Sequence, residues 1–132
     1  QTLFLSTIAW LISKYSQTKP HAADLSNAKQ RILNIKELMA SMPEQEFSLI
    51  ELAEMANLSQ WHFLRQFKKH VGLSPHAWLI QARLQKSQKL LRQGLNLSEV
   101  SQQCGFSDQS HFSRHFRQTF GITPGGYIAY LK

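Results

Sequence analysis

The chain has 132 residues, of which 42% are hydrophobic, and 15 Lys and Arg against 8 Asp and Glu give a formal charge of +7. That length suits one ordinary domain with a real core, and the apolar content excludes wholesale disorder. A single cysteine excludes an internal disulfide framework and a CxxC-type zinc knuckle and suits a reducing cytosol, while the charge points to an anionic partner.

Leu3 to Tyr15 predicts an amphipathic helix carrying Phe4, Ile8, Leu11, Ile12 and Tyr15. Its apolar stretch, Leu3 to Ile12, is about ten residues where a bilayer needs roughly 20, and it lacks the basic lead-in of a signal peptide. Gln1 in place of Met predicts a piece of a longer protein. Residues 17–26, with Lys19-Pro20 and Asp24, read as a linker. Asn27 then serves as N-cap for a helix bearing Ile32, Ile35, Leu38 and Met39, stopping near Met42-Pro43. Ser48 caps Leu49 to Ala56, with Glu51 placed as in a capping box. Ser59 opens a helix to about His70, ended by Gly72. Ser74-Pro75 starts a longer helix to Gln93, ended by Gly94. Ser98 is the expected cap of a short helix ending at Gly105. Ser107 or Asp108 caps the next, ended by Gly121, and Thr123-Pro124 begins the last. No strand-like alternation persists, so seven helices are expected after the linker.

Charge is unevenly placed. No acid occurs between Glu54 and Glu99, and that window holds Arg65, Lys68, Lys69, Arg83, Lys86, Lys89 and Arg92. The acids collect just before it, at Glu44, Glu46, Glu51 and Glu54. A solvated positive face would explain the window, and so would a polyanion.

An internal repeat decides between them. Leu49–Ser59 aligns with Leu97–Ser107, each a short helix, a turn at Asn57 or Gly105, and a serine. With one inserted residue, His62-Phe63-Leu64-Arg65-Gln66-Phe67-Lys68 aligns with His111-Phe112-Ser113-Arg114-His115-Phe116-Arg117. Gly72-Leu-Ser-Pro75 then aligns with Gly121-Ile-Thr-Pro124, and Trp78-Leu79 with Tyr127-Ile128. Each unit is a helix-turn-helix pair. In the second helix of each pair, Phe63 and Phe67, or Phe112, Phe116 and Phe120, form an apolar stripe for the core. Trp61, Arg65 and Lys68 lie opposite the first stripe, and Ser110, Arg114 and Arg117 opposite the second. Arg can bond guanine O6 and N7 with both arms, and Ser and Gln can reach phosphates or base edges. Trp61 has two readings: packing against DNA sugars or methyls, or folding down onto a neighbouring helix. The connecting helix, Ser74 to Gln93, is about 30 Å long, close to the roughly 34 Å of one DNA turn. Two recognition helices could therefore enter successive major grooves.

Gly105-Phe-Ser-Asp-Gln-Ser-His-Phe-Ser-Arg-His-Phe-Arg, followed by Phe120-Gly-Ile-Thr-Pro124, resembles the signature of AraC/XylS-type bacterial transcription regulators. So do Ser59-x-x-x-Phe-x-Arg-x-Phe-Lys and Gly72-Leu-Ser-Pro-His-Ala-Trp-Leu with Arg83-Leu84. The resemblance covers about residues 27 to 130. It implies an all-α domain of seven helices, with two helix-turn-helix subdomains joined by a long central helix and an extra helix N-terminal to them. The implied plan is a residual helix of a preceding effector or dimerisation domain over 1–16, a linker over 17–26, and a DNA-binding domain over 27–132. Within the last, the first helix-turn-helix falls at about 48–70, the connecting helix at 74–93 and the second helix-turn-helix at about 98–119. The family's base-contacting positions fall on Gln60, Trp61, Leu64 and Arg65, and on Gln109, Ser110, Ser113 and Arg114. Lys68 and Arg117 resemble backbone anchors. The implied function is sequence-specific double-stranded DNA binding in a cytoplasmic regulator of the activator type. RNA polymerase is an implied partner, a homodimer would form through the preceding domain, and no cofactor or small-molecule effector is expected on these residues. Four positions depart from the pattern. Ile128 stands where relatives commonly have Arg, Gly125-Gly126 weaken the last helix, and Leu64 replaces an expected polar reader.

Other chemistries are poorly served. His111 and His115 are spaced i, i+4, but the Glu of an HExxH site is absent and no Asp, Glu or Cys has ligand spacing. His62 and His111, at equivalent repeat positions, suit structural roles or phosphates. Cys104 aligns with Ala56 and reads as a small core residue. No nucleophile–base order, phosphate loop or carboxylate pair suggests an enzyme. The alternative is a helical interaction or dimerisation module without specific DNA readout.

Overall fold

A computed structural model describes residues 25–132, which form seven helices and no strand. They are α1 (Leu25–Ser41), α2 (Leu49–Ala56), α3 (Gln60–Val71), α4 (Pro75–Arg92), α5 (Leu97–Gln103), α6 (Gln109–Phe120) and α7 (Pro124–Leu131). The helix expected over Leu3–Tyr15 lies outside the described residues, as does the linker up to residue 24. Leu25 and Ser26 are helical rather than linker, and Asn27 sits inside α1 instead of capping it. Nothing between Pro20 and Ile32 breaks a helix, so α1 extends past the polar residue that marked its start.

Side-chain caps set most of the other starts. Ser48 accepts from the Glu51 N–H, Ser59 from the His62 N–H, Asp108 from the His111 N–H and Thr123 from the Gly126 N–H. Each satisfies a backbone donor that a helix N-terminus leaves unpaired. The α5 cap is Asn96, not Ser98. Asn96 Oδ1 accepts from the Glu99 N–H at 2.8 Å, and Ser98 is already inside the helix. Pro124 at N1 and the Thr123 cap carry α7 through both glycines to Leu131.

The described chain divides into two compact units. One comprises the described residues to Ser41 together with Phe47–Trp78, and the other Met42–Glu46 with Leu79–Lys132. In the first, Ile32, Ile35 and Met39 of α1, Leu52, Met55 and Ala56 of α2, and Phe63 and Phe67 of α3 are buried. The Trp78 Nε1–H donates to the Lys36 carbonyl of α1 at 3.1 Å.

In the second unit, Ile80, Leu84 and Leu91 of α4 pack with Val100, Cys104, Phe106, Phe112 and Phe116. Burial pushes the Cys104 thiol up to about 11, as a small core residue requires. Here the short segment Met42–Glu46 is bound tightly. Arg83, only 8% exposed, donates from Nε to the Pro43 carbonyl at 2.6 Å and from Nη2 to the Gln45 carbonyl at 2.9 Å. Lys86 Nζ reaches the Glu44 carboxylate at 3.0 Å. Burial raises the Glu44 pKa, but its own backbone N–H, Lys86 and Gln45 outweigh that and hold it below its ordinary value.

Candidate nucleic-acid interface

Each helix-turn-helix is built around a left-handed residue. Asn57, at φ 57°, ends α2, and its N–H returns to the Ala53 and Glu54 carbonyls. Gly105, at φ 89°, does the equivalent work after α5. A cation then seals the C-terminal end of the first helix in each pair. Arg31 Nε donates to the Ala56 carbonyl at 2.9 Å, and Lys86 Nζ to the Gln103 carbonyl at 3.0 Å. Both neutralise carbonyls that have no partner within their own helix. These contacts fix the turn from which each second helix departs.

Those second helices, α3 and α6, have two distinct faces. Phe63 and Phe67 are fully buried along α3, with ring centroids 5.6 Å apart, and Phe112 and Phe116 along α6, 5.7 Å apart. Opposite the first stripe, Gln60, Trp61, Leu64, Arg65 and Lys68 are all exposed. Opposite the second, Gln109, Ser110, Arg114 and Arg117 are exposed and Ser113 is half-buried. Every residue singled out from the sequence therefore lies on one face of its helix, away from the core of its own unit.

The structure bears on one of the two readings of Trp61, folding down onto a neighbouring helix. Trp61 is 59% exposed, so its ring does not fold down in that way. Its edge meets His62 at 5.0 Å, and the Arg65 guanidinium lies 4.7 Å from its centroid. Leu64 beside it is 39% exposed, leaving an apolar and a cationic group side by side on α3.

The basic window needs correcting at two positions. Arg83 is buried in the second unit and Lys86 is paired with Glu44, so neither faces outward as a free charge. The signal was present in the sequence. Cations in a window without acids must find counter-charges outside it, and Glu44 lies just upstream. The role of Arg31 had no such signal, because an acceptor carbonyl has no residue type. His62 and His111 occupy matching places near the start of α3 and α6. His62 Nδ1 meets Ser59 Oγ at 2.7 Å, and the His111 and His115 Nε2 atoms are 3.0 Å apart.

Among the described residues no group of three or more His, Cys, Asp or Glu is placed to hold a metal, and no helix is long and apolar enough to cross a membrane. A shallow hollow of about 390 Å³, lined by Gln88, Phe120, Ile122, Tyr127 and Tyr130, lies in the second unit. Its lining offers neither a carboxylate nor an imidazole for acid–base work.

Known proteins share this arrangement. A helix-turn-helix domain family matches residues 52–129. The chain is 36% identical over 90 residues to the probable transcriptional regulator LumQ of Photobacterium leiognathi, covering 67% of this chain and 36% of that protein. It is 33% identical over 99 residues to the HTH-type transcriptional regulator MtrA of Neisseria gonorrhoeae, covering 74% and 33%. It thus spans about a third of the length of these relatives. Among solved structures, the DNA-binding domain of AdpA in complex with a target DNA superposes with a TM-score of 0.71 at 29% identity, covering 76% of this chain and 91% of that one. An AraC-type DNA-binding regulator from Chromobacterium violaceum gives 0.68 at 27% identity, covering 83% and 96%.

Proposed function

Because the chain belongs to the AraC-type family of helix-turn-helix transcription regulators, a DNA-binding and non-enzymatic class, we propose that it reads double-stranded DNA with α3 and α6. The supporting observation is the pair of polar, cationic faces set opposite buried phenylalanine stripes. Gln60, Leu64 and Arg65 would meet bases from α3, with Trp61 beside them on the same face, and Gln109, Ser110, Ser113 and Arg114 would meet bases from α6. Lys68 and Arg117, near the helix C-terminal ends, would hold phosphates. Entry of the two helices into successive major grooves is part of this proposal. Because the two faces differ in sequence, the site need not be a palindrome. Lys and Arg contribute salt-dependent affinity by releasing counterions, and base contacts supply the sequence preference.

For the whole protein we propose transcription regulation in the bacterial cytoplasm, where the genome is accessible. Activation is the mode we favour, as in the relatives named transcriptional activator NphR of Rhodococcus and HTH-type transcriptional activator RhaS of Salmonella. RNA polymerase and a second copy of the protein are the partners proposed, with any effector bound outside the two helix-turn-helix units.

The test is fluorescence anisotropy of the chain with duplexes selected from a randomised pool and with a scrambled control, at two salt concentrations. Tighter binding to a selected duplex that persists at higher salt is expected. Equal, steeply salt-sensitive binding to all duplexes would refute sequence-specific reading.

A further inference from the structure

The two recognition helices are repeats, yet they differ one turn before the central arginine. In α3 the Arg65 guanidinium lies against the Trp61 ring, 4.7 Å from its centroid. In α6 the equivalent residues are Ser110 and Arg114, so the second arginine has no ring at that position. Trp61 is more than half exposed, so the indole does little for the core. Among the described residues the ion pairs are Lys36–Glu37 and Lys86–Glu44, and neither engages Arg65.

Stacking restricts the long Arg side chain before any ligand arrives. An unstacked arginine loses the same rotamer freedom at the moment of binding, and that loss is subtracted from affinity. Stacking also leaves the donors usable. The five N–H groups point outward in the guanidinium plane, so a face laid on indole does not block the fork that guanine O6 and N7 accept.

We infer that Trp61 is a positioning residue which presets Arg65 for a guanine in the half-site read by α3, while Arg114 is ordered only on binding. This inference rests on the DNA reading above. It gives the two half-sites different tolerances. The α3 half penalises loss of its guanine through a rigid reader, and the α6 half through an adaptable one.

The test uses a duplex selected by the chain from a randomised pool. Trp61→Leu, Arg65→Ala and the double variant are measured by anisotropy, with each guanine replaced in turn by 7-deazaguanine. Both positions are on the surface, and unchanged thermal midpoints would exclude folding effects. Trp61→Leu should weaken binding by about two- to fivefold, the strength of an exposed cation–π contact expressed as affinity. Most of that loss should vanish when Arg65 is already Ala, and Trp61→Phe should recover part of it. In the free chain, the Arg65 guanidinium protons should resonate upfield by ring current and return in Trp61→Leu. Equal losses in both Arg65 backgrounds would overturn the inference, because Trp61 would then act through its own DNA contact. Absence of the upfield shift would overturn it too. A pool that yields no enriched duplex would refute the DNA reading itself, whereas enrichment with an additive cycle refutes only the positioning role.

Discussion

Replacing Gly105 by Asn isolates one contact of the second helix-turn-helix. Asn tolerates the left-handed backbone that Gly105 adopts at φ 89°, and Asn57 occupies the matching turn of the first unit at φ 57°. What Asn adds is a Cβ, which would sit 2.7 Å from the Glu44 carbonyl oxygen, 2.9 Å from its Cα and 3.0 Å from its carbonyl carbon. All three are backbone atoms. They cannot swing aside, because Arg83 grips the carbonyls on either side of Glu44 and Lys86 holds its carboxylate. Overpacking of this kind costs about 1–3 kcal/mol, and if the segment yields instead, loosening one bond to a charged donor costs about 1.5–3 kcal/mol. By either route the expected loss for Gly105→Asn is about 1–3 kcal/mol. Gly121→Asn is the control. Its φ is 82° and nothing lies within 4 Å of a Cβ there, so it should cost below about 1 kcal/mol. Urea unfolding followed by circular dichroism measures both. Equal midpoints for the two variants would refute the argument. A second readout guards it: in an Arg83→Met background the segment is released, and the gap between the two variants should narrow.

Arg83→Met should itself cost about 3 kcal/mol in urea unfolding, because it strands the Pro43 and Gln45 carbonyls. A loss under 1 kcal/mol would mean that water replaces it. Arg114→Ala should weaken binding to a selected duplex by about 1–3 kcal/mol and relax preference at one base pair. Unchanged affinity would remove Arg114 from the readers. Lys68→Ala and Arg117→Ala should each weaken all duplexes similarly and lower the salt slope by about one. Slopes equal to the parent's would argue against phosphate contact. Cys104 titrates near pH 9 when unfolded and is raised to about 11 by burial. The stability owed to its neutral thiol is complete below pH 9 and is lost as pH rises through about 11. Unfolding measured from pH 8 to 11 should show that decline, and Cys104→Ala should lack the share due to the thiol.

The helices and their faces were legible because each carries its own local chemistry. Ser48, Ser59, Asp108 and Thr123 cap helices from side chains that the sequence displays, and the Phe stripes repeat at helical spacing. Asn96 was missed because a serine two residues later also fits a cap, and only backbone geometry separates them. The exposed faces of α3 and α6 were readable from periodicity, down to the outward position of Trp61's neighbours. The orientation of Trp61 itself was not, since an aromatic ring opposite a core stripe can fold either way. Arg83 was counted with the outward charges because its partners are main-chain carbonyls 40 and 38 residues upstream. Pattern at short range does not reveal such acceptors.

The segment Met42–Glu46 has a consequence for how this architecture can be recombined. It lies in the chain between α1 and α2, yet it belongs to the unit formed by Leu79–Lys132. A single cut after residue 78 therefore cannot release the second reader intact. A transplant of residues 79–132 alone would arrive with the Arg83 guanidinium and Lys86 ammonium facing no acceptor segment. A hybrid regulator that exchanges second readers must import five residues from far upstream as well, or keep a recipient whose own segment fits the incoming arginine. Homologous exchange at one crossover point would break that match. Changes in sequence preference are thus easier to reach by point substitution on α3 and α6 than by shuffling whole units.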